Sequence, residues 1–220
     1  MPDYPGISSI YTSISWYLSG MLPNPTMQYL VYPNDKYENP LVLWDISGNK
    51  EIATFPWGSD LQWSPDGNKL VYVRDEELDF RPDDELFAVD LQGTIFRLTN
   101  LNDKYSEVLL DMFQWSPDGK GIVFWFSSQS SRPGGYYIGV LEIETGKIKI
   151  YSYEYFEGPY QSYLERLIDL SPIWSPDGTK LLVVGIDPQD ENQRDILVID
   201  LVKDIAVKIA ENLIPVGWMR

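Results

Sequence analysis

The chain has 220 residues and carries 33 acidic against 17 basic side chains, a net charge of -16. That length suits one domain or two small ones with a sizeable core, and the negative field repels phosphate backbones and anionic bilayers, which excludes nucleic acid and lipid head groups as partners. There is no His and no Cys, so the commonest general base, thiolate chemistry, disulfides and structural zinc are all missing.

From the N-terminus, "MPDYPGISSI" has no basic segment running into an apolar one, so it does not read as a secretory signal. No apolar stretch is long enough to span a bilayer. A soluble chain is expected. Its compartment stays open: cytoplasmic, or periplasmic or extracellular if a signal peptide has been removed.

The next segments repeat. "WSPDG" occurs at 63–67, 115–119 and 174–178, each time followed by an apolar run: "KLVYV" (69–73), "GIVFWF" (121–126) and "KLLVVGI" (180–186). Ser-Pro-Asp-Gly is a turn with a mechanism. Pro presets φ for a type I turn, Ser and Asp bond nearby amides, and Gly takes the left-handed position. The tryptophan then ends one strand and the apolar run forms the next. Those runs are apolar on both sides of the pleat, so both of their faces are predicted to be covered.

A second hairpin follows each run. It reads "LVLWDISGNKEIAT" (41–54), "LFAVDLQGTIFRLT" (86–99), "VLEIETGKIKIYS" (140–152) and "ILVIDLVKDIAVKI" (196–209). Each is strand, tight Asp/Gly-type turn, strand. A unit is therefore a four-strand meander, A to D. The first copy is worn: Trp16 takes the tryptophan position, "YLSG" (17–20) stands for SPDG, and "MQYLVY" (27–32) is its B strand. With Trp218 the repeat tryptophans are spaced by 47, 52, 59 and 44 residues, near the length of a four-stranded propeller blade.

On these residues the chain resembles the TolB-type β-propeller repeat, a relative of the WD repeat, whose blades are similar to those of prolyl-oligopeptidase-type propeller domains. The resemblance implies an all-β fold in one domain, 1–220, with blades at roughly 10–56, 59–100, 111–152 and 170–212 and an extra strand at 213–218. Residues 213–218 are expected to pair outside their own blade and to bury Trp218. Three arrangements stay open: an excerpt of a longer propeller, a small closed ring, or a ring completed by another chain. The resemblance speaks for fold more than for function.

A–B and C–D turns lie on one face of such a blade, and B–C and D–A loops on the other. The first set is uniform and the second varies from copy to copy, which marks the second as the working surface. Its aromatic content supplies the candidate binding residues: Trp57, Tyr105, Tyr153, Tyr155, Phe156, Tyr160, Tyr163 and Arg166. Packing within the long 152–172 loop is the competing reading of those rings.

The acidic run Asp75 to Glu85 and the group Asp187, Asp190, Glu191 and Asp195 lack the calcium-loop spacing. They read as solvated acids, and no metal or cofactor is expected. Catalytic motifs are missing: no G-x-S-x-G elbow, no triad without His, and no phosphate loop. The expected function is a non-catalytic binding module for a protein or peptide, with another propeller fragment or a copy of itself as possible partners. Two alternatives are kept: the lid-like propeller of a larger peptidase, and a carbohydrate-binding propeller.

Overall fold

A computed structural model describes residues 21–34, 41–75, 83–129, 135–157, 174–186, 193–213 and 218. Among the described residues fifteen strands run in chain order: β1 (Leu22–Pro23), β2 (Tyr29–Pro33), β3 (Leu41–Asp45), β4 (Lys50–Phe55), β5 (Ser59–Trp63), β6 (Lys69–Asp75), β7 (Asp84–Asp90), β8 (Ile95–Arg97), β9 (Leu109–Trp115), β10 (Gly121–Ser127), β11 (Gly135–Glu142), β12 (Lys147–Glu157), β13 (Lys180–Ile186), β14 (Arg194–Asp200) and β15 (Ile205–Glu211). The sheet orders are β1-β2-β3-β4, β5-β6-β7-β8 and a seven-stranded β9 to β15 in sequence. These are the expected antiparallel meanders. Blade 4 gives its A position to Trp174, bridged to Leu181.

The chain divides into two compact units, 1–74 with 86–98, and 75–85 with 99–220. Among the described residues no helix is long and apolar enough to cross a membrane.

The three WSPDG turns fold alike because each closes its own hydrogen bonds. The Ser64 hydroxyl donates to Asp66 at 2.6 Å and accepts from the Lys69 amide at 3.0 Å. Ser116 and Ser175 repeat this with Asp118 and Gly121, and with Asp177 and Lys180. Gly67, Gly119 and Gly178 stand at φ of 72°, 71° and 70°, where a side chain is strained. All three serines are buried. Their hydroxyls are thus interior polar groups that the adjacent Asp and amide satisfy.

In two of the three motifs the opening tryptophan reaches back one blade. Trp63 Nε1 donates to the Leu22 carbonyl at 3.1 Å, and Trp174 Nε1 to the Gln114 carbonyl at 3.3 Å. Gln114 precedes Trp115, so Leu22 marks Pro23 as the corresponding position of blade 1. The turn of blade 1 is accordingly Asn24–Met27 rather than the expected Tyr17–Gly20. Its geometry is that of SPDG in other letters. The Met27 amide donates to the Asn24 carbonyl at 2.9 Å, Met27 takes φ of 59°, and Asn24 Oδ1 accepts from the Gln28 and Tyr29 amides. One asparagine does the work of the Ser–Asp pair. Trp16 itself lies outside the described residues.

The C–D turns recur by the same logic. Asp45 Oδ1 accepts from the Gly48 amide, Asp90 Oδ1 from Gln92 and Thr94, and Asp200 Oδ1 from Val202 and Lys203. Glu142 replaces the aspartate in blade 3 and accepts from Thr145 Oγ1.

These bonds hold carboxyls below their ordinary range. The Ser hydroxyls are the first cause for Asp66, Asp118 and Asp177, the last reaching about 2, and backbone amides for Asp45 and Asp200. Each folded-state pKa lies below the ordinary carboxyl value of 3.8, so the ionised form favours folding. That stability is complete above the unfolded pKa and is lost as pH falls through the folded one. Thermal midpoints are therefore expected to drop as acid is added below 3.8 and towards about 2. A triple Asp66→Asn, Asp118→Asn, Asp177→Asn variant should melt with a flatter pH dependence across that window. Parallel curves for variant and parent would contradict this.

Continuous apolar strands do become interior strands. Leu70, Val71, Tyr72 and Val73 of β6, and Ile122 to Phe126 of β10, are all buried. In the first unit one core cluster joins Val31, Leu43, Phe55, Leu70, Tyr72 and Phe87. Tyr72 stacks on Phe87, and its hydroxyl is buried with no hydrogen-bond partner among the described residues; burial pushes its pKa up to about 12. In the second unit Val123, Trp125 and Ile138 of blade 3 pack on Trp174, Leu181, Val183, Leu197 and Ile199 of blade 4. β13 departs from the expectation of two covered faces: Leu181 and Val183 are buried while Leu182 and Val184 are half-buried.

The expected strand at 213–218 falls largely outside the described residues. Leu213 is exposed and Trp218 half-buried, and neither carries a strand.

Candidate binding surface

The loops expected to share the working face do meet in blade 3. The D–A segment between β8 and β9 and the B–C segment after β10 are tied by two bonds: the Gln129 amide donates to the Ser106 carbonyl at 2.9 Å, and Ser106 Oγ to Gln129 Oε1 at 3.2 Å. Tyr105 stands beside this junction. Its ring lies 5.1 Å from Phe126, edge-on, and 5.5 Å from Tyr137, and Phe126 and Tyr137 stack at 5.2 Å. Lys104 Nζ sits 5.2 Å from the Tyr105 ring. Phe126 is fully buried, whereas Tyr105 and Tyr137 are half-buried. The result is a rigid aromatic step anchored from below, with polar tips and a cation at its rim.

The loop beneath is fixed by two acids. Glu85 is fully buried. It accepts from Thr99 Oγ1, from the Asn102 amide at 2.9 Å and from Asn102 Nδ2 at 3.2 Å. Asp84 accepts from the Leu110 amide at 2.9 Å, and its own amide donates to the Val108 carbonyl. This corrects the reading of these residues as solvated acids. They are the acceptors for a short 3₁₀ turn at Leu101–Asp103 and the entry to β9. Asp195 is likewise buried and paired: Lys208 Nζ lies 2.9 Å from it and 2.6 Å from Glu211. Those contacts, Asp195 first, raise the Lys208 pKa. Among the described residues no group of three or more acids is placed to hold a metal ion.

The remaining candidates scatter. Trp57 is half-buried against the core cluster of the first unit. Tyr153, Tyr155 and Phe156 fall on β12, which continues to Glu157 rather than ending where the loop was expected. The β11–β12 register shifts between Tyr136 and Ile138, and Phe156 then pairs with Gly185 of β13. The end of blade 3's outer strand thus bonds to the inner side of blade 4. Tyr160, Tyr163 and Arg166 lie outside the described residues. Tyr137 and Phe126 were missed as partners of Tyr105. The doublet Tyr136-Tyr137 directly after "SSRPGG" was the available signal.

No protein-family model matches the chain, and no curated protein does. Solved structures do. Prolyl oligopeptidase B from Galerina marginata superposes with a TM-score of 0.55 at 15% identity, covering 86% of this chain and 28% of that one. The β-propeller domain of the trilobed protease from Pyrococcus furiosus gives 0.49 at 20%, covering 84% and 53%. TolB from Acinetobacter baumannii gives 0.44 at 20%, covering 84% and 42%. The chain thus spans about half or less of the length of each. The four-stranded meander blades and the thrice-repeated Ser-Pro-Asp-Gly turn give the chain a TolB-like β-propeller fold.

Proposed function

We propose that the chain is a non-catalytic binding module for a protein or peptide segment, engaged at the variable-loop face of blade 3. The observation that carries this reading is the Tyr105–Phe126–Tyr137 step. Two loops that differ from blade to blade are tied together there around half-buried tyrosines, one with Lys104 at its rim. Tyrosine gives large contact area with few rotatable bonds, and such rings concentrate binding energy at interfaces. The lysine, in a chain of charge -16, offers a local positive charge and hydrogen-bond donor to a carboxylate or carbonyl on the partner. The absence of His and Cys from the sequence fits recognition better than acid–base or thiol chemistry.

The test is capture by cross-linking with the parent chain and with a Tyr105→Ser, Tyr137→Ser double variant. Both rings are half-buried and Phe126 stays, so the fold should persist, as circular dichroism would report. Loss of an anchor of this kind weakens binding by about 2 kcal/mol or more, roughly thirtyfold. An unchanged set of captured partners, at unchanged yield, would place binding elsewhere.

A further inference from the structure

Tyr105 of the aromatic step hangs between two ties on the loop from β8 to β9. After it, the Ser106–Gln129 pair fastens the loop to the end of β10. Before it, the Lys104 and Tyr105 amides both donate to the Leu101 carbonyl, at 3.0 and 2.9 Å. Leu101 is buried, and the turn it opens is gripped from outside the loop by Glu85. That carboxylate accepts from Thr99 Oγ1 ahead of the turn and from the amide and side chain of Asn102 within it. Asp84, its neighbour on β7, instead holds the later half of the loop, through bonds with the Leu110 amide and the Val108 carbonyl. Asp84 thus seats the entry to β9, and Glu85 seats the turn that carries Tyr105. Blade 4 shows that a buried acid at this position has no need to serve a loop. Asp195 stands five residues before the turn acid Asp200, as Glu85 stands five before Asp90, and both are buried. Asp195 faces its own blade, with Lys208 of β15 at 2.9 Å, whereas Glu85 is spent on the segment beyond β8.

We propose that Glu85 is a positioning residue for recognition: its carboxylate holds Tyr105 against Phe126 and Tyr137, and the step is competent to bind only while that acceptor is in place. The inference rests on the reading of the step as a binding surface. Its physical basis is where the supporting bonds lie. Phe126 and Tyr137 are cross-strand partners, placed by the β10–β11 ladder. Tyr105 lies in no strand or helix, so its place depends on the bonds of the turn before it. An interface ring contributes most when it is held still before contact, because ordering it on binding costs free energy. Without the carboxylate, Thr99 and Asn102 turn to water and the turn frays. Tyr105 then leaves the step while the strands of blade 3 stay paired, a local opening rather than a global one.

Nitration by tetranitromethane on the full chain, read at Tyr105 by peptide mass spectrometry, tests the placement. Glu85→Ala should raise the Tyr105 rate severalfold, and Glu85→Gln, which keeps one acceptor oxygen, should stay near the parent. Gly119→Ala controls for plain destabilisation. It strains the turn at the other end of β10, where φ is 71°, and should leave the Tyr105 rate unchanged. If Glu85→Ala fails to fold by circular dichroism, Glu85→Asp replaces it; its carboxylate is withdrawn by one methylene, and the same rise is expected. Capture by cross-linking then tests the consequence. Glu85→Ala should weaken it about tenfold and add no further loss to the Tyr105→Ser, Tyr137→Ser variant. A Tyr105 rate unmoved by Glu85→Ala, or raised equally by Glu85→Gln or Gly119→Ala, overturns the proposal. So does capture that survives Glu85→Ala but not the tyrosine variant. Capture unmoved by the tyrosine variant sinks the binding reading and the recognition role with it, whereas the nitration rates judge the placement of Tyr105 on their own.

Discussion

Gly139→Ala is expected to lower the thermal midpoint more than any other single methyl addition in blade 3. Gly139 faces Phe124 across the β10–β11 ladder, and a methyl there would fall within the Phe124 ring. The ring cannot step aside cheaply. Phe124 is fully buried, with Phe126 at 5.9 Å, and close-packed interiors have no room for a displaced ring. Overpacking of this kind costs about 3 kcal/mol, or roughly 6–12 °C for a chain of this size. The backbone conformation is not the cause, because Gly139 is not among the glycines at positive φ. Phe124→Leu is the discriminating partner. Alone it loses packing, but combined with Gly139→Ala it vacates the space the methyl needs. The double variant should be less destabilised than the sum of the singles. Additive effects, or a Gly139→Ala chain that melts like the parent, would contradict the assigned contact.

Glu85→Ala should be nearly as damaging, for an electrostatic reason. It strips the acceptor from Thr99 Oγ1 and from the amide and side chain of Asn102, and Thr99 is itself fully buried. Removing a buried charged acceptor from its donors costs about 1–3 kcal/mol per bond, and water entering the loop offsets part of that, so a loss of about 2–4 kcal/mol is expected. Glu85→Gln keeps one carbonyl oxygen and should lose markedly less. Hydrogen exchange gives the local readout: the Asn102 amide should lose protection in the alanine variant well before the strands of β10 do. Equal damage from Gln and Ala, or unchanged protection at Asn102, would show that the carboxylate does not hold the loop. The aromatic step would loosen with it, since Tyr105 lies just beyond that 3₁₀ turn.

What could be read from the residues alone follows a physical division. The Ser-Pro-Asp-Gly turns and the C–D hairpins were legible because their hydrogen bonds close within a few residues. Blade 1 obeyed the same geometry, but Asn24 supplies both acceptor bonds and Met27 takes the left-handed position. The letters of blade 1 therefore do not spell the turn that its backbone makes. Glu85 shows the complementary failure. In "RPDDELF" it looks like one solvated acid among several, and only the arrival of Thr99 and Asn102 makes it an interior acceptor.

By itself, then, the sequence determined the strand meander, the repeat and the face on which the variable loops lie, because those depend on local turn chemistry and on period-two patterning. Tertiary structure decided which aromatics form a step, carried β12 across to pair Phe156 with Gly185, and left Leu182, Val184 and Val198 half-buried while Leu181 and Val183 are enclosed. "KLLVVGI" reads like the fully enclosed "GIVFWF". Whether a strand's second face is covered depends on what packs there, and burial is a property of neighbours distant in the chain rather than of the strand's own residues.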